Sequence, residues 1–567
     1  MEKRWRLRES NYKIVSSLQE QLKIPKPLCE LLAQRNINTF EEAKAFFRID
    51  ESQLHDPFLM KGMRTAIERI NQAIEKEEKI LIYGDYDVDG TTAVAVVFSF
   101  FKQFYQNIEF YIPHRFAEGY GVSQKGIDYA IQNNFSLIIT LDCGIKSAHL
   151  ISYANENGID VIVCDHHLPD NNLPNAIAIL NPKQYDCPYP YKELCGCGIG
   201  YKLIAAYAIQ HNVDMNKVNE KIDLVATAIA ADIVPITGEN RVLAVLGLKK
   251  VNQNPCVAIQ AIKAIGKVNK VFTISDLVFI VAPRVNAAGR MDDARKAVEL
   301  FIEQDMNAAL DYASQLHSDN NDRRDIDKKT TEEALNMLSG VDVNSQLKST
   351  VVYKEDWHKG VVGIVASRLI EHCYRPTIVL TESNGKISGS ARSVKGFNLF
   401  EGLSECSEYL SSFGGHYFAA GLTMEKEYYH LFKEKFNQVA SSILTDEMLI
   451  PEIEIDTEIS FQDISENFLD ILNQFAPHGP ENMRPIFMTR NVVNYRNYSR
   501  VLKDLHVKYI VSQKGKTMNG IGFNHVDKFP IVETNLPFDM IYHIEENEWN
   551  GNKSIQLKVI DIRQSVS

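Results

Sequence analysis

Lys79-Ile80-Leu81-Ile82-Tyr83-Gly84-Asp85-Tyr86-Asp87-Val88-Asp89-Gly90-Thr91-Thr92 decides how the chain reads. Its apolar beginning has the character of a buried parallel strand, and Thr91 opens an apolar helix that runs to Phe104. Between strand and helix stand three carboxylates at alternate positions, Asp85, Asp87 and Asp89. Like charges in one short loop invite a cation.

Ligands of open parallel sheets bind beyond the carboxyl ends of the strands, so the other strand ends matter. Residues 136–141 run straight into Asp142, and residues 160–164 run into Asp165-His166-His167. The apolar, helix-like run 224–231 delivers Asp232 just ahead of Ile233-Val234-Pro235. Taken singly, each loop fits ordinary turn chemistry, since aspartate hydrogen-bonds its own backbone and tolerates unusual dihedrals. Taken together, they would gather acids and imidazoles at one sheet edge, where their repulsion makes sense only around cations.

A chain of 567 residues is too long for one core and calls for three or four domains. With 45% hydrophobic and 24% charged residues, it has the composition of a soluble globular protein. The start, Met1-Glu2-Lys3-Arg4-Trp5-Arg6, has no apolar run after its charges, and no later segment approaches membrane-spanning length, so the expected location is cytoplasmic. Nine cysteines without a CxxC pair exclude a disulfide framework and a zinc knuckle; Cys195-Gly196-Cys197 reads as small buried thiols at a loop-to-helix junction. The net charge of −12 argues against a general nucleic-acid coat but allows a narrow basic channel on an acidic body.

Residues 1–75 read as a helical lead-in domain. From 76 to 305 strands alternate with helices, the pattern of an α/β parallel sheet. Within it, the loop from Pro113 to Gly121 holds Arg115, and the loop from Ala282 to Asp293, expected to open a helix, holds Arg284 and Arg290. Arginines beside a metal site suit a phosphate. Residues 306–345, crowded with charge including Arg323, Arg324, Asp325 and Asp327, read as a solvated helical connector. A smaller α/β unit is expected over 346–447, with Ser390, Arg392 and the Gly414-Gly415-His416 run as candidate phosphate contacts. Residues 448–567 carry many short β-like segments, including 452–455 and 486–493, which suggests a small oligonucleotide-binding barrel. There, Tyr495, Arg496, Tyr498, Arg500, Lys503 and Lys508 interleave aromatics with bases, as a single-strand groove requires.

Gly84 to Gly90, Leu141-Asp142-Cys143-Gly144, Asp165-His166-His167 and Ala231 to Pro235 resemble, in order, the four motifs of the DHH phosphoesterase superfamily. Ser390-Ala391-Arg392 and the run Gly414 to Gly421 resemble the DHHA1 domain that follows it. Residues 284–293 and the C-terminal unit narrow the resemblance to the RecJ family, bacterial 5′-to-3′ exonucleases acting on single-stranded DNA in repair and recombination. One stretch, Pro477-His478-Gly479-Pro480-Glu481-Asn482, is less glycine-rich than its counterpart in that family.

The resemblance implies a parallel-sheet DHH domain joined by the long connector to a smaller DHHA1 domain, then an OB-type β-barrel. It implies two divalent cations, Mn²⁺ preferred and Mg²⁺ possible, whose mixed carboxylate and imidazole ligands fit those metals. Asp142 would bridge them, Asp85 and Asp87 would hold one, and Asp89, His166 and Asp232 the other. His167 would steady the phosphate, while Arg115, Arg290, Ser390, Arg392 and His416 would bind the 5′-terminal phosphate or line the DNA path. The partners implied are single-stranded DNA, a helicase and a single-strand-binding protein, with no membrane and a monomeric chain. Two rival readings are a DHH phosphoesterase of short oligonucleotides or cyclic dinucleotides, and an inactive replisome scaffold. The long connector and C-terminal unit speak against the first, and the full set of motif acids and histidines against the second.

Overall fold

The computed structural model describes residues 3–291, 293–339, 347–549 and 551–565. Met1, Glu2, Asp292 and the expected boundary at 345/346 lie outside these. The first sheet is five-stranded and all parallel, in the order β2-β1-β3-β4-β5: β1 (Lys79–Gly84), β2 (Ile108–Tyr111), β3 (Phe135–Leu141), β4 (Asp160–Cys164) and β5 (Ala178–Leu180). Its central strands are apolar on both faces because helices cover both. Register then does the work of gathering. Gly84 pairs with Leu141 and Leu141 with Cys164, so Asp85, Asp142 and Asp165 emerge side by side from adjacent strands.

Among the helices of this site-bearing body, four frame the site: α1 (Val88–Lys102), α2 (Gly196–His211), α3 (Ile222–Ala231) and α4 (Gly238–Gln253). Helices α1, α2 and α3 are buried over most of their length, which accounts for apolar runs with no polar face. The arginine-bearing stretch expected as a loop is instead helix α5 (Ala282–Met291), entered from a π-helical turn at Leu277–Val281. Ala282, Val285, Ala287 and Ala288 are buried along it, so its small residues are a packing face rather than a flexible loop.

Helix α6 (Met306–Ser339) spans 34 residues and leads toward the second sheet. That mixed sheet has the order β9-β10-β8-β7-β6, with β6 (Thr350–Tyr353), β7 (Thr377–Ser383), β8 (Lys386–Arg392), β9 (Ser412–Gly415) and β10 (Ala419–Met424); α7 (Val362–Cys373) packs on it. Ser390 and Arg392 therefore lie on a strand, and His416 in the turn of the β9–β10 hairpin.

The C-terminal sheet runs β11-β12-β16-β17-β15-β14-β13, from β11 (Thr457–Glu458), β12 (Phe487–Asn494), β13 (Arg500–Leu502), β14 (His506–Gln513), β15 (Lys516–Gly522), β16 (Phe538–Trp549) and β17 (Asn552–Gln564). A further pairing of β12 with β14 returns the sheet on itself. Residues 452–455, expected as one of its strands, pair instead with a strand at Arg4–Leu7. The lead-in is thus not wholly helical. Its helices also share a core with the C-terminal unit, through Val15, Leu18, Leu28 and Leu32 against Phe461, Phe468 and Phe475. The two ends of the chain therefore complete one core.

Candidate metal centre and arginine cleft

Asp85, Asp89, Asp142 and His166 are all buried, and Asp232 is drawn into the same group from the end of α3. His166 Nε2 lies 3.2 Å from Asp142 Oδ1, 3.5 Å from Asp232 Oδ2 and 3.9 Å from Asp89 Oδ2. Two overlapping sets have metal-ligating spacing: Asp89, His166 and Asp232, and Asp142, His166 and His167. Backbone donors aim several of these groups. Asp85 Oδ1 accepts from Gly121 N at 3.0 Å, and Asp87 caps α1 by accepting from Gly90 N at 3.0 Å.

The Cys195-Gly196-Cys197 junction has a use that its thiols do not explain. Gly196 N and Cys197 N, in the first turn of α2, donate to the two oxygens of Asp89 at 2.6 and 2.7 Å. Helix N-termini favour such a carboxylate. Glycine is required at 196, because a Cβ there would come within 2.6 Å of the Asp142 Cβ.

The electrostatics are those of a centre waiting for positive charge. Burial, followed by the charge of Asp87, pushes Asp85 up to about 8 and Asp89 up to about 7. Burial and the neighbouring aspartates raise Asp142 and Asp232 strongly as well. Burial and then His167 lower His166 to about 3, so its imidazole is neutral and able to ligate. Asp85 Oδ2, Asp142 Oδ1, Asp232 Oδ2 and both ring nitrogens of His166 are buried without a hydrogen-bond partner. Orphaned acceptors converging at this density fit divalent cations and little else.

His167 is set differently. Its Nδ1 is 2.7 Å from Asp165 Oδ1, and its Nε2 is 3.1 Å from the Tyr120 hydroxyl. Burial alone would lower its pKa, but the hydrogen bond and charge of Asp165 outweigh that and raise it. Asp165 is itself pinned by Ile145 N at 2.9 Å, and Asn181 Nδ2 holds the His167 carbonyl at 2.9 Å. Asp165 was read from the sequence as part of an acidic strand end but given no role, and Tyr120 and Asn181 were not singled out as site residues; their signal was position, at or beside strand ends. Ile233, next to Asp232, has φ of 60° and is 68% exposed. A β-branched residue in the left-handed region costs about 1–3 kcal/mol.

Arginines gather beside this centre. Arg115 lies over the Tyr86 ring at 4.9 Å, and its charge acts on Asp85. Arg290 donates to Gly360 O at 3.0 Å, across to the loop before α7. A Cβ on Gly363, in the first turn of α7, would be 3.1 Å from Arg392 Nη2 and 3.2 Å from Ser390 Oγ, so these groups adjoin the same helix. Burial and then Arg115, Arg323 and Arg392 lower Arg290 to about 10. Arg323, on the stretch read as a solvated connector, is thus a member of the cluster, and its buried Nε has no hydrogen-bond partner. His416 is exposed at the hairpin turn, its backbone N donating to the O of Ala419, the residue that pairs with Arg392, at 2.8 Å.

In the C-terminal unit, Tyr495, Arg496 and Tyr498 form one corner, with Arg496 over the Tyr495 ring at 5.2 Å. Arg500 pairs across strands with Lys508.

Profiles of three domain families match this chain: the DHH family N-terminal domain over residues 79–229, the DHHA1 domain over 346–442 and the RecJ OB domain over 455–561. The single-stranded-DNA-specific exonuclease RecJ of Bacillus subtilis is 38% identical, across 98% of this chain and 70% of that protein. The protein of the same name from Escherichia coli is 31% identical, across 89% of this chain and 90% of its own length. Among solved structures, RecJ of Thermus thermophilus in complex with Mn²⁺ superposes with a TM-score of 0.85 at 24% identity, covering 100% of this chain and 80% of that one. An exonuclease RecJ bound to manganese matches with a TM-score of 0.59 at 29% identity, over 68% of this chain and 96% of that one.

Proposed function

The chain belongs to the RecJ family, and we propose from that premise that it is a metal-dependent exonuclease that degrades single-stranded DNA from its 5′ end. The observation that carries the reading is the adjacency of a buried carboxylate and histidine centre with orphaned oxygens to a cleft of clustered arginines. Asp142, with Asp85 and Asp87 on one side and Asp89, His166 and Asp232 on the other, would hold two divalent cations, the metals borne by solved RecJ structures being Mn²⁺ and Mg²⁺. Bound there, they supply a nucleophile at neutral pH and offset charge on the attacked phosphate.

The chain's own groups do the rest. Asp165 favours the imidazolium form of His167, whose Nε2–H can donate to a phosphate oxygen at the place now taken by the Tyr120 hydroxyl. Arg290, Arg392, Arg115 and the Ser390 hydroxyl suit a terminal phosphate, the guanidinium forks matching its oxygens. We add Arg323 to that group, with His416 on the hairpin beside Arg392 as a contact along the DNA path. A fixed terminal phosphate beside the cleavage site gives the enzyme its polarity. Acting on single strands, such an enzyme works behind a helicase and beside a single-strand-binding protein, and we assign it to the cytoplasm as a monomer. Among the described residues, no helix is long and apolar enough to cross a membrane.

The test is degradation of end-labelled single-stranded DNA in Mn²⁺, beside a duplex, a very short oligonucleotide and the Asp142→Ala protein. Loss of the long single strand from its 5′ end, abolished by the substitution, supports the reading. Turnover confined to the short oligonucleotide replaces it with a small-substrate phosphoesterase, and DNA binding without turnover replaces it with a scaffold.

A further inference from the structure

Ile233 is held in a conformation that its side chain disfavours. Helix α3 ends at Ala231, and Asp232 N donates to Ala228 O at 2.9 Å. The next residue stands where helices commonly place glycine, yet it is isoleucine with φ of 60°. The segment downstream allows no relaxation. Val234 is buried, Pro235 O accepts from Asn240 Nδ2 at 3.1 Å and from the Tyr191 hydroxyl at 3.3 Å, and Ile236 N donates to Pro480 O at 2.9 Å. Core packing does not compensate for the strain, because 68% of Ile233 is exposed.

Two more apolar groups border the same centre. Leu168 follows His167 directly and is 65% exposed, and the Tyr120 ring meets the His167 ring edge-on at 5.8 Å with 52% of Tyr120 exposed. Exposed apolar side chains thus directly follow a site residue at Asp232 and at His167, and the half-exposed Tyr120 ring lies against His167 itself. Aspartates repel phosphates but not the faces of nucleobases, and apolar contact with a base face is indifferent to sequence. The geometry points to Ile233 as a contact for a nucleobase next to the scissile phosphodiester, with strain retained because the exposed side chain serves the substrate. This rests on the single-stranded-DNA reading above.

Ile233→Gly removes both the strain and the side chain, while Ile233→Leu keeps the apolar bulk. Steady-state kinetics on a 5′-phosphorylated oligonucleotide in Mn²⁺ should show KM raised about 5–20-fold in the glycine variant with kcat nearly unchanged, and largely restored in the leucine variant. The thermal midpoint of the glycine variant should equal or exceed that of the parent. On an oligonucleotide whose first few nucleotides are abasic, the glycine variant and the parent should share one KM. An unchanged KM on the normal strand overturns the inference, and so does an equal KM penalty on the abasic strand. Weakened Mn²⁺ binding by the glycine variant in calorimetric titration assigns the effect to a displaced Asp232, and overturns it too. If the parent protein leaves the normal strand intact, the exonuclease reading fails, an outcome distinct from an active parent with an insensitive variant.

Discussion

In the acid centre, burial and then neighbouring aspartate charge push four buried or half-buried aspartates upward in pKa; around Arg290, burial and then neighbouring arginines push its pKa down. Each cluster opposes its own charge, and each has a buried polar atom without a partner. The signs are opposite, so the ligands must be too: cations for the first and an anion for the second. They differ in how they are built. Asp85 and Asp142 issue from adjacent strands of one sheet in fixed register, with Asp89 in the first turn of α1 and Asp232 at the end of α3, whereas the arginines come from a loop, α5, α6 and β8 across two sheets. The first is held within one unit and the second is shared between two, which is the division of labour expected of fixed chemistry and a moving polymer.

Asp142→Asn should break the first half of the comparison most severely. Removing the central charge should reduce activity at least about 1,000-fold, since both the metal ligation and the charge balance of the centre depend on it. In chelator the same variant should melt no lower than the parent, because a repulsive charge is gone. Mn²⁺ should raise the thermal midpoint of the parent and not of the variant; at a hundredfold excess over Kd, that stabilisation is about 2.7 kcal/mol. Equal Mn²⁺ stabilisation of both proteins would show that the acids do not form the cation site.

Arg392→Ala probes the other half. An anion-binding role predicts KM raised about 10–100-fold for 5′-phosphorylated DNA, a smaller effect on 5′-hydroxyl DNA and a shallower salt dependence of binding, by about 0.7 in log–log slope. Arg323→Ala should follow the same pattern more weakly. Unaltered preference for the phosphorylated end would remove these arginines from the pocket. Between the two clusters, Asp165→Asn tests whether His167 needs its charged partner: the loss should be about 10–100-fold in activity, with Mn²⁺ binding changed far less than in Asp142→Asn.

The contrast in construction also explains what could be read from sequence. Asp85, Asp142 and Asp165 were legible because parallel strands align their ends, so a local motif already implies a shared edge. Asp232 was legible as the end of a buried helix. Arg323 was not: on the sequence it sits among charges of both signs along a polar helix, and only the fold brings it to Arg290. The helical nature of residues 282–291 was hidden by Pro283 and Gly289, though a Cβ on Gly289 would meet Tyr86 O at 2.9 Å, so that glycine marks close packing. The joining of residues 12–47 to the C-terminal core, and of Arg4–Leu7 to Glu452–Ile455, rests on contacts hundreds of residues apart, which no local pattern encodes.

A third region sharpens the comparison: there burial and then Arg35 lower Arg241 to about 9 and its Nε lacks a partner, yet its Nη groups are taken up by backbone carbonyls. Where the C-terminal unit meets the catalytic body, buried groups are kept neutral or capped by carbonyls. The Arg241 guanidinium donates to the carbonyls of Phe475, Gln474 and Ala476 at 2.9, 3.2 and 3.0 Å. His478 Nδ1 lies 3.3 Å from Asn482 O and His543 Nδ1 lies 2.7 Å from Pro485 O, and burial lowers each histidine to about 4. Their folded pKa values lie below the unfolded value of about 6.5, so the unfolded chain takes up protons first as the pH falls. Their contribution to stability is complete above about pH 6.5 and is lost between there and about pH 4, by at most about 1.4 kcal/mol per histidine for each pH unit in that window. The raised aspartates act with the opposite sign over the same range, so the histidine contribution is read as a difference: the thermal midpoint of His543→Gln, which cannot acquire the charge, should rise relative to that of the parent as the pH falls from about 6.5 to about 4. A slope unchanged by that substitution would show that the joint tolerates charge as the two clusters do, and would erase the distinction drawn between them.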